Sequence, residues 1–377
     1  MKKILFFIES LSRGGAEKVL SDIVSNLDKN KYDVTVYTVT DCGEYQPVVE
    51  KYCNYGSFLH MSEAGGNAFN KLFFRVKTHL LYKLPVKWVY RWQIKGSYDV
   101  EIAFVEGFAT KLIAGSPNAA SKKIAWLHTD MTKNPYADKC YKNLSAHNAV
   151  YQKYDRILCV SESVKQAFET KFFSSDKISV QYNVIDTVNI VKSSREKTDI
   201  EAPEGIRLFS VGRLEEAKGF LRLTDMLGRL FAEGYRFSLW LIGDGSQRKQ
   251  IEEIINKYQM GECVKLLGFH KNPYKYIGKC DAFICSSYAE GFSNSATEAL
   301  IVEKPVFTTE CAGMRELFGD ETCGEIVPNN DEALFNLLRR LVSGEIHPEK
   351  YRDALQRRKK FFDISRRIEE IEGILDE

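Results

Sequence analysis

The sequence has no cysteine pattern typical of a metal site or of a disulfide-stapled fold. Its nine cysteines are odd in number, scattered, and contain no C-x-x-C pair, which argues against a zinc ribbon and a disulfide framework. Two of them, Cys159 and Cys285, lie in short apolar runs, where a free cysteine packs as a small hydrophobe. We therefore expect a reducing, cytoplasmic compartment.

Long apolar runs and an excess of one charge are also missing. No run of 18 apolar residues occurs, so the sequence predicts no helix that spans a bilayer. The N-terminus starts with two lysines, but its apolar stretch ends at Glu9, too early for the core of a signal peptide. With 53 basic and 51 acidic residues, the chain lacks the strongly basic balance of a nucleic-acid binder. Nucleic acid is not an expected partner.

Several catalytic signatures are absent. The chain has no D-x-D, a motif that holds a metal-bridged diphosphate; its nearest approaches are Asp99-Val-Glu101 and Asp199-Ile-Glu201. Neither a G-x-x-x-x-G-K-[ST] loop nor a G-x-S-x-G elbow occurs, which disfavours P-loop NTPases and α/β-hydrolases. The stretch Gly243-Asp-Gly245 resembles the start of a dinucleotide fingerprint, but Arg248 stands where the third glycine should be. NAD binding is therefore disfavoured, and we expect neither a metal nor a cofactor.

What the chain does contain is a regular alternation of short apolar runs and amphipathic stretches. Strands are predicted at 3–8, 34–39, 100–105, 124–127, 157–160 and 178–180, and again at 206–211, 237–242, 264–269, 282–286, 306–308 and 325–327. Such alternation is typical of βαβ units and parallel sheets. Because the pattern restarts after a charged, aperiodic interval at 186–205, two doubly wound α/β sheets fit better than one.

The length of the chain supports the same division. At roughly 100–200 residues per domain, 377 residues predict a first domain over 1–187, a second over 188–355, and a charged amphipathic helix within 356–377. The halves differ in charge: residues 1–190 have 25 basic and 19 acidic side chains, whereas residues 191–377 have 28 and 32. We expect the basic half to meet an anionic surface.

Parallel sheets bind ligands beyond the carboxyl ends of their strands, so the residues after each strand deserve most weight. Gly14 and Gly15 follow the first strand and lead into a helix. They indicate either a phosphate site at a helix N-terminus or an ordinary tight turn. Arg213 and Lys218 follow the first strand of the second half. Two such cations can hold a diphosphate, or can be ordinary surface charges of a solvated loop.

The sharpest pattern is a pair of carboxylates, Glu290 and Glu298, eight residues apart around a predicted helix start. Small polar residues separate them within Gly291-Phe-Ser-Asn-Ser295. Carboxylates suit sugar and ribose hydroxyls because each accepts several hydrogen bonds, and free N–H groups at a helix start suit phosphate. Ser295-Ala-Thr-Glu298 also spells a capping box, which would make Glu298 a local helix-starting residue.

One histidine occupies a position of the same kind. His128 directly follows the predicted strand 124–127, where it can bond a substrate hydroxyl or phosphate, or transfer a proton. The alternative, which is commoner, is a structural histidine whose hydrogen bonds are all made within the protein.

A segment of the basic half combines cations with large aromatic residues. Between Glu63 and Asp99 there is no acidic residue. Seven basic residues alternate there with ten large apolar ones: Lys71, Arg75, Lys77, Lys83, Lys87, Arg91 and Lys95, with Phe69, Leu72, Phe73, Phe74, Leu80, Leu81, Tyr82, Trp88, Tyr90 and Trp92. This pattern favours an interfacial segment on an anionic membrane. The alternative is a helix pair packed on the sheet and broken at Pro85.

Taken together, these residues resemble the nucleotide-sugar glycosyltransferases with two Rossmann-like domains facing across a cleft (GT-B), and most of all the retaining family 4. The carriers of the resemblance span the chain: Gly14-Gly-Ala-Glu17, Trp126-Leu-His-Thr-Asp130, Val160-Ser-Glu-Ser163, Asn183-Val-Ile-Asp186, Val211-Gly-Arg-Leu214 with Lys218-Gly219, Gly243-Asp-Gly245, and Glu290-Gly-Phe292 with Glu298-Ala299. Only the last is decisive alone, whereas their order and spacing together are specific.

The resemblance implies a role for each candidate residue. Arg213 and Lys218 would clamp the donor diphosphate, Glu298 would hold the ribose, and Glu290 the donor sugar. His128 would contact the transferred sugar, and the loop 268–271 would face the nucleobase. The candidate catalytic residues are thus His128, Arg213, Lys218 and Glu290. The candidate donor-binding residues are Gly14, Gly15, Arg213, Lys218, Gly243, Phe269, Glu290, Phe292, Ser293, Asn294, Ser295 and Glu298.

The resemblance also implies the reaction. The acceptor would bind the N-terminal domain and the nucleotide sugar the C-terminal one, with the helix in 356–377, including residues 357–360, crossing back to the first domain. Retention would proceed by front-face attack assisted by the departing phosphate, without metal. We expect a UDP-sugar donor and a polyprenyl-linked or other lipid-linked glycan acceptor, as in capsule or O-antigen assembly, with peripheral attachment to the inner face of the cell membrane. The expected membrane and acceptor residues are Lys83, Lys87, Trp88, Arg91 and Trp92.

The sequence leaves two alternatives open. A nucleotide-sugar 2-epimerase shares the two-domain fold but needs further acid and base carboxylates. A catalytically silent sugar-nucleotide-binding module is the other, although Arg213, Lys218, Glu290 and Glu298 are all present.

Overall fold

The computed structural model describes residues 1–12, 14–64, 68–198, 200 and 205–377. The chain forms two compact units, Met1–Val184 together with Ser365–Glu377, and Ile185–Ile364. The sequence-based boundary at 187/188 lies three residues after the first of these divisions, and the one at 355/356 lies nine residues before the second. Asp199 and Glu201, which the sequence analysis singled out, and Pro203 of the predicted linker lie outside the described residues.

Unit 1 is built on a parallel sheet whose described strands number seven. They are β1 (Lys2–Phe7), β2 (Tyr32–Thr40), β3 (Asn54–Leu59), β4 (Val100–Ala103), β5 (Lys122–Leu127), β6 (Arg156–Cys159) and β7 (Ile178–Val180). Their spatial order is β3-β2-β1-β4-β5-β6-β7. Ile4 of β1 is in register with Val34 on one side and Val100 on the other. Such central strands are buried on both faces, which explains their continuous apolar sequences.

The helices of unit 1 cover this sheet. They are α1 (Gly15–Asn26), α2 (Gln46–Tyr52), α3 (Ala68–Lys83), α4 (Val86–Gln93), α5 (Phe108–Ile113), α6 (Leu144–Tyr151) and α7 (Glu162–Lys171). In α1 the buried residues Val19, Leu20, Ile23 and Val24 recur at helical spacing, so one face of the helix packs on the sheet. Helices α6 and α7 begin at Asn143 and Ser161, whose side chains accept hydrogen bonds from backbone N–H groups three residues later.

Unit 2 repeats the architecture with six described parallel strands. They are β8 (Ile206–Val211), β9 (Phe237–Ile242), β10 (Val264–Gly268), β11 (Ala282–Cys285), β12 (Val306–Thr309) and β13 (Gly324–Val327), in the order β10-β9-β8-β11-β12-β13. Its helices are α8 (Thr187–Ser193), α9 (Phe220–Ala232), α10 (Arg248–Lys257), α11 (Tyr274–Ile277), α12 (Asn294–Ile301), α13 (Met314–Phe318), α14 (Asp331–Val342) and α15 (Arg352–Lys359). In both sheets the strand order reverses beside the first strand, which creates the switch point where such folds bind ligands.

The last helix, α16 (Ile364–Asp376), packs almost entirely within unit 1. Its buried Ile371 and Leu375 face the unit's core, and Glu372 accepts hydrogen bonds from the Asp28 N–H and the Lys31 ammonium at 3.0 and 3.1 Å. The basic residues 357–360 precede this helix rather than belonging to it. Arg357, for example, forms an ion pair with Glu321 inside unit 2.

The predicted α/β architecture of two doubly wound parallel sheets is confirmed. Every predicted strand is present, with ends that shift by one or two residues. One strand was missed, β3 at the edge of the first sheet. It contains Asn54 and Gly56, which are poor strand formers. A Cβ on Gly56 would lie 2.5 Å from the ring of Tyr37 on β2, so packing against that ring favours glycine here.

Candidate active site

In unit 2 the loops after three neighbouring strands lie so close together that their backbones leave no room for a side chain between them. A Cβ on Gly243, after β9, would lie 1.9 Å from the carbonyl oxygen of Gly212, after β8. A Cβ on Gly219 would lie 2.1 Å from the carbonyl oxygen of Ser286, after β11. Both glycines also have positive φ angles, 138° and 65°, a region that side-chain-bearing residues rarely adopt. Glycine at these positions therefore lets the carboxyl ends of β8, β9 and β11 meet.

An ion pair joins two of these loops. The Lys218 ammonium donates to both carboxylate oxygens of Glu290 at 2.8 and 2.9 Å, and Ser287 Oγ donates to the same carboxylate at 2.6 Å. The Glu290 side chain is 8% exposed and that of Lys218 26%. Burial lowers the pKa of Lys218, but the charge of Glu290 and its hydrogen bond outweigh burial and raise the pKa above its ordinary value. Lys218 is therefore a fixed cation at neutral pH.

A second cation stands beside this pair without a partner. Within the described part of the chain, the exposed Arg213 guanidinium has no hydrogen bond or ion pair. It is close enough to Lys218 for its charge to oppose the protonation of that ammonium. We call Arg213, Lys218 and Glu290 the ion-pair cluster. With two cations and one carboxylate it carries a net positive charge, which favours an anionic ligand.

Glu298 is held in a separate way. It lies in the second turn of α12, is only 5% exposed, and accepts a hydrogen bond from the buried Tyr274 hydroxyl at 3.1 Å. The predicted capping box is wrong, because α12 begins earlier. The N-cap is Ser293, whose Oγ accepts from the Ala296 N–H at 3.4 Å, so Ser295 already lies inside the helix.

The remaining donor-side candidates surround these groups. Phe292 and Ser293 are buried, whereas Asn294, Ser295 and Phe269 are partly exposed. The Gly243 N–H donates to the carbonyl of Gly268 at 2.8 Å, which joins the loop after β9 to the end of β10. The structure thus places these residues along one edge of the unit 2 sheet.

Sequence reasoning missed a buried arginine that organises the loop carrying Glu290. The Arg222 guanidinium donates to the carbonyls of Ser286 at 2.6 and 2.8 Å and of Ser287 at 3.0 Å. It also donates to Asn329 at 2.9 Å and lies 3.8 Å from the centre of the Tyr288 ring. A signal was available, because Arg222 is the one charged residue among the buried, mostly apolar residues of α9.

In unit 1, His128 follows β5 as predicted and is held by a carboxylate that the sequence analysis did not single out. Glu106 accepts hydrogen bonds from the backbone N–H groups of His128 and Thr129 at 2.6 and 2.7 Å, and from the Tyr136 hydroxyl at 2.9 Å. Burial raises the pKa of the Glu106 carboxyl. Glu106 also follows a strand, β4, so the rule that pointed to His128 applies to it equally.

The His128 side chain is neutral. Burial lowers its pKa to about 3, against the opposing effect of a hydrogen bond with the backbone of Phe104. Its Nε2 atom is buried and has no hydrogen-bond partner in the described residues. A neutral ring with one nitrogen committed to Phe104 can offer the other to a ligand.

The glycine pair after β1 begins a helix as predicted. Gly15 is the first residue of α1 and Gly14 is its N-cap, in an extended conformation and without a side-chain cap. A Cβ on Gly14 would lie 1.9 Å from a carboxylate oxygen of Glu17. The Glu17 carboxylate thus occupies the space beside this helix start. This favours an ordinary tight turn over a phosphate site at Gly14 and Gly15.

Family models match both halves of the chain. Residues 192–360 match the group 1 glycosyl transferases, and residues 13–189 match glycosyltransferase family 4. Together the two models span nearly the whole sequence. The chain is a GT-B glycosyltransferase of the family 4 type.

Individual relatives and structures agree with this assignment. The transferase is 29% identical over 372 residues, or 96% of each chain, to the Campylobacter jejuni N-acetylgalactosamine-N,N'-diacetylbacillosaminyl-diphospho-undecaprenol 4-alpha-N-acetylgalactosaminyltransferase. It is 23% identical over 348 residues to the amylovoran biosynthesis glycosyltransferase AmsD of Erwinia amylovora, covering 92% of this chain and 91% of AmsD. A structure of Anabaena HepE in complex with UDP and glucose has a TM-score of 0.77 at 19% identity, with full coverage of both chains. That likeness shows the GT-B fold.

The basic and aromatic segment of the transferase forms α3 and α4. Of the fourteen exposed large apolar side chains among the described residues, seven lie here: Leu72, Phe73, Val76, Leu80, Tyr82, Trp88 and Trp92. Exposed cations stand among them, including Lys83, Lys87 and Arg91. The inner face packs on the sheet through Val89 and Tyr90, whose hydroxyl donates to the buried Glu101 at 2.9 Å. The side chain of Phe69 lies outside the described residues.

The described residues of the transferase contain neither a candidate metal centre nor a candidate membrane-spanning helix. No group of three or more His, Cys, Asp and Glu side chains there could hold a metal ion. No helix of the described chain is both long enough and apolar enough to cross a bilayer. Metal-independent transfer stays a prediction.

Proposed function

We propose that the protein transfers a sugar from a UDP-sugar to a lipid-linked glycan at the cytoplasmic face of a membrane, with retention of anomeric configuration, in bacterial cell-surface polysaccharide assembly. The observation that carries the proposal is the ion-pair cluster, in which Arg213, without a partner among the described residues, stands beside the partly buried Lys218–Glu290 pair. Its fixed cations suit a diphosphate and its carboxylate suits sugar hydroxyls. The family match over both halves supports the reaction class.

Different residues of unit 2 bind different parts of the nucleotide sugar. The planar Arg213 fork and the Lys218 ammonium bind the diphosphate, while Glu290 accepts hydrogen bonds from the hydroxyls of the donor sugar. Glu298, held by Tyr274, accepts from the ribose hydroxyls. A uridine nucleotide is proposed because the structure of HepE, the Anabaena protein with the same fold, contains UDP.

The transfer step follows from fixed charge rather than from a protein nucleophile. The bond between the anomeric carbon and the β-phosphate oxygen breaks, and a bond to the acceptor hydroxyl oxygen forms on the same face of the sugar. The acceptor proton passes to the departing phosphate. Arg213 and Lys218 stabilise the negative charge that develops there, and preorganised charge of this kind is commonly the largest contribution to catalysis.

The acceptor side of the proposal depends on unit 1. The exposed apolar and basic residues of α3 and α4 fit an anionic membrane surface, into which Trp88 and Trp92 would insert while Lys83, Lys87 and Arg91 meet the headgroups. The Campylobacter jejuni relative is named for a diphospho-undecaprenol substrate, which supports a polyprenyl-linked acceptor for this transferase.

The donor proposal is tested by thermal denaturation with UDP, with GDP and without nucleotide. A ligand at a hundredfold excess over its dissociation constant stabilises the folded state by about 2.7 kcal/mol, so UDP is expected to raise the melting temperature by several degrees. Arg213→Ala should lose most of this shift, whereas Arg236→Ala, an exposed arginine elsewhere in unit 2, should keep it. If only GDP raised the melting temperature, the proposed UDP-sugar donor would be wrong. If neither nucleotide raised it, nucleotide binding would be contradicted.

The reaction is tested by incubating the enzyme with UDP-sugars and with polyprenyl diphosphates that carry one or two sugars. Transfer should require the acceptor, and proton NMR of the product should show the anomeric configuration of the donor. A product of inverted configuration would contradict retention. Conversion of the UDP-sugar into another UDP-sugar without acceptor would indicate a 2-epimerase instead.

Membrane attachment is tested by sedimentation with vesicles of phosphatidylglycerol and phosphatidylcholine. The triple variant Lys83→Glu, Lys87→Glu, Arg91→Glu should lose binding to the anionic vesicles. Reversal of Lys249, Lys265 and Lys271 in unit 2 is the matched control and should leave binding unchanged. Equal binding by both triple variants would contradict the proposed surface.

A further inference from the structure

A second group of polar side chains lies at the carboxyl edge of the unit 1 sheet. It includes Glu9, Tyr82 and Tyr136, which the sequence did not indicate as site residues. Glu9 follows β1 and is half-buried. Its carboxylate accepts a hydrogen bond from the Tyr82 hydroxyl of α3 at 2.7 Å and one from the backbone N–H of Phe108, the first residue of α5. Burial raises the pKa of Glu9 above its ordinary value, although both hydrogen bonds oppose the rise.

Contiguous contacts connect Glu9 to the residues around His128. The Tyr82 ring packs edge-on against Phe108, with 4.5 Å between ring centres. A Cβ on the adjacent Gly107 would lie 3.3 Å from Cys140 Sγ, at the end of the short helix Tyr136–Cys140. Tyr136 at the start of that helix binds Glu106, which in turn holds the backbone of His128. We call Glu9, Tyr82, Glu106, His128 and Tyr136 the phenol–carboxylate cluster.

The members of the cluster divide into a buried support and an open face. Glu106 is 1% exposed and both of its oxygens are taken, so it positions its neighbours. The rings of Tyr82 and Tyr136 are 37% and 42% exposed, although the hydroxyl of each is tied to a carboxylate. His128 contributes a buried Nε2 without a partner in the described residues. Exposed aromatic faces beside carboxylate and imidazole acceptors are what a sugar ring requires, since its C–H face packs on an aromatic ring and its hydroxyls donate.

The ligand that fits this cluster is neutral. Its side chains are two carboxylates, two phenols and a histidine that is uncharged at pH 7, with no cation among them. A diphosphate would be repelled by the carboxylates. Tyr82 stands on α3, the helix that also carries the exposed apolar and basic residues proposed to meet the membrane, so a sugar presented by a lipid carrier would arrive beside it.

From these observations we infer that Glu9, Tyr82 and Tyr136 form the subsite for the terminal sugar of the acceptor, in which Glu9 accepts hydrogen bonds from the sugar hydroxyls and the two rings support its apolar face. The inference rests on the proposed transfer to a lipid-linked glycan. It assigns recognition of the acceptor sugar to groups different from those proposed for the donor.

The test measures the KM of each substrate separately. The probe is whichever of a panel of water-soluble geranylgeranyl diphosphates, each carrying one hexose or N-acetylhexosamine, gives the fastest release of UDP with the wild type. Glu9→Gln should raise the acceptor KM roughly 10- to 100-fold, since a charged hydrogen bond is replaced by a weaker one, and should leave the donor KM within about twofold. Glu50→Gln is the matched control, because Glu50 is an exposed carboxylate on α2 of the same unit.

A pair of variants at Tyr82 separates the ring from the hydroxyl. Tyr82→Phe keeps the aromatic face and should raise the acceptor KM only a few-fold, whereas Tyr82→Ala should raise it about as much as Glu9→Gln. Unchanged melting temperature and an unchanged UDP-induced shift establish that each variant is folded and binds its donor.

The outcomes separate the subsite from the proposed function. Transfer by the wild type with an acceptor KM that Glu9→Gln and Tyr82→Ala leave unchanged would overturn the subsite. A rise in donor KM instead of acceptor KM would assign the cluster to the donor sugar and would also overturn it. Failure of the wild type to transfer to any member of the panel would contradict the proposed acceptor class, and the subsite with it.

Discussion

The two units have the same architecture but different chemistry at the carboxyl edges of their sheets. In unit 2 the ion-pair cluster balances Glu290 against Lys218 and leaves Arg213 without a partner among the described residues. In unit 1 the phenol–carboxylate cluster has no cation, and burial raises the pKa of both Glu9 and Glu106. A doubly wound sheet therefore fixes where a ligand binds, whereas the side chains at that edge decide which ligand it is.

The difference also concerns how each site is held together. Charge holds the unit 2 loops, because Lys218 bridges two of them and the buried Arg222 binds backbone carbonyls of the loop that carries Glu290. In unit 1, hydrogen bonds to the Glu106 carboxylate and the ring contacts of His147 hold the loops. Because the two sites lie in different units, substitutions can perturb each of them separately.

The largest effect is expected where the ion-pair cluster loses its shared cation. Lys218→Met removes one cation from the proposed diphosphate site and leaves the carboxylate of Glu290 buried without its partner. The rate of UDP release should fall roughly 100- to 1000-fold, as when one preorganised group is removed from a charged transition state. Lys257→Met, at an exposed ion pair of unit 2, is the control. A loss of less than tenfold would contradict the role of Lys218.

A smaller effect is expected at Glu298. Glu298→Gln keeps the size of the side chain but removes its charge, so its bond to the ribose hydroxyls weakens. The dissociation constant of UDP, measured by titration calorimetry, should rise roughly 10- to 100-fold. Glu253→Gln, at an exposed position of α10, should not change it. Unaltered UDP binding by Glu298→Gln would remove Glu298 from the proposed site.

Acid should weaken unit 1 through a buried histidine. His147 is 1% exposed, and burial lowers its pKa to about 4, although the charge of Asp138 opposes this shift. Because the unfolded chain binds a proton near pH 6.5 and the folded chain does not, the stability contributed by neutral His147 is present above pH 6.5. It is lost as the pH falls towards 4, by about 1.4 kcal/mol per pH unit.

The measurement compares the pH dependence of urea unfolding for the wild type and His147→Phe. Both should carry Trp240→Phe, since the other three tryptophans, Trp88, Trp92 and Trp126, then report on unit 1 alone. The variant should lack the slope that His147 contributes between pH 6.5 and 4.5. Equal slopes in the two proteins would show that His147 does not resist protonation in the folded state.

The smallest effect is expected at Tyr274, which holds Glu298 without touching the proposed ligand. Tyr274→Phe removes one hydrogen bond of about 0.5–1.5 kcal/mol, so UDP binding should weaken by a factor of roughly two to ten. Tyr258→Phe removes a partly buried hydroxyl bonded to Asp225 on another part of unit 2 and serves as the control. If Tyr274→Phe weakened UDP binding as much as Glu298→Gln does, Tyr274 would have to contact the ligand directly.

Much of the fold could be predicted because it depends on local patterns. Runs such as the one that forms β9, buried along its whole length, are apolar without interruption, as strands covered on both faces must be. The edge strand β3 was not predicted because Asn54 and Gly56 lack this apolar pattern. Its extended conformation depends on pairing with the neighbouring strand. The start of α12 was placed too late, since Ser293 and Ser295 are equivalent caps in sequence and only the backbone conformation selects Ser293.

The candidate sites were predictable only in part. Arg213, Lys218, Glu290 and His128 were found because each follows a strand, and the same rule would have found Glu9 and Glu106. Arg222 could be noticed as a charge on an apolar helix face, but its partners are carbonyl groups, which every residue has and no sequence pattern distinguishes. The side chains that support a site are thus harder to predict than those that compose it.

The sequence by itself determined the two parallel sheets, the positions of the glycines at their turns, and the family, because each is encoded by neighbouring residues. Tertiary structure alone decided which polar groups meet. Lys218 and Glu290 are 72 residues apart in the chain, and Glu9 and Tyr82 are 73. Such pairs form because folding brings strand ends to one edge and removes them from water, and a buried carboxylate is stable only with a partner that no local pattern encodes.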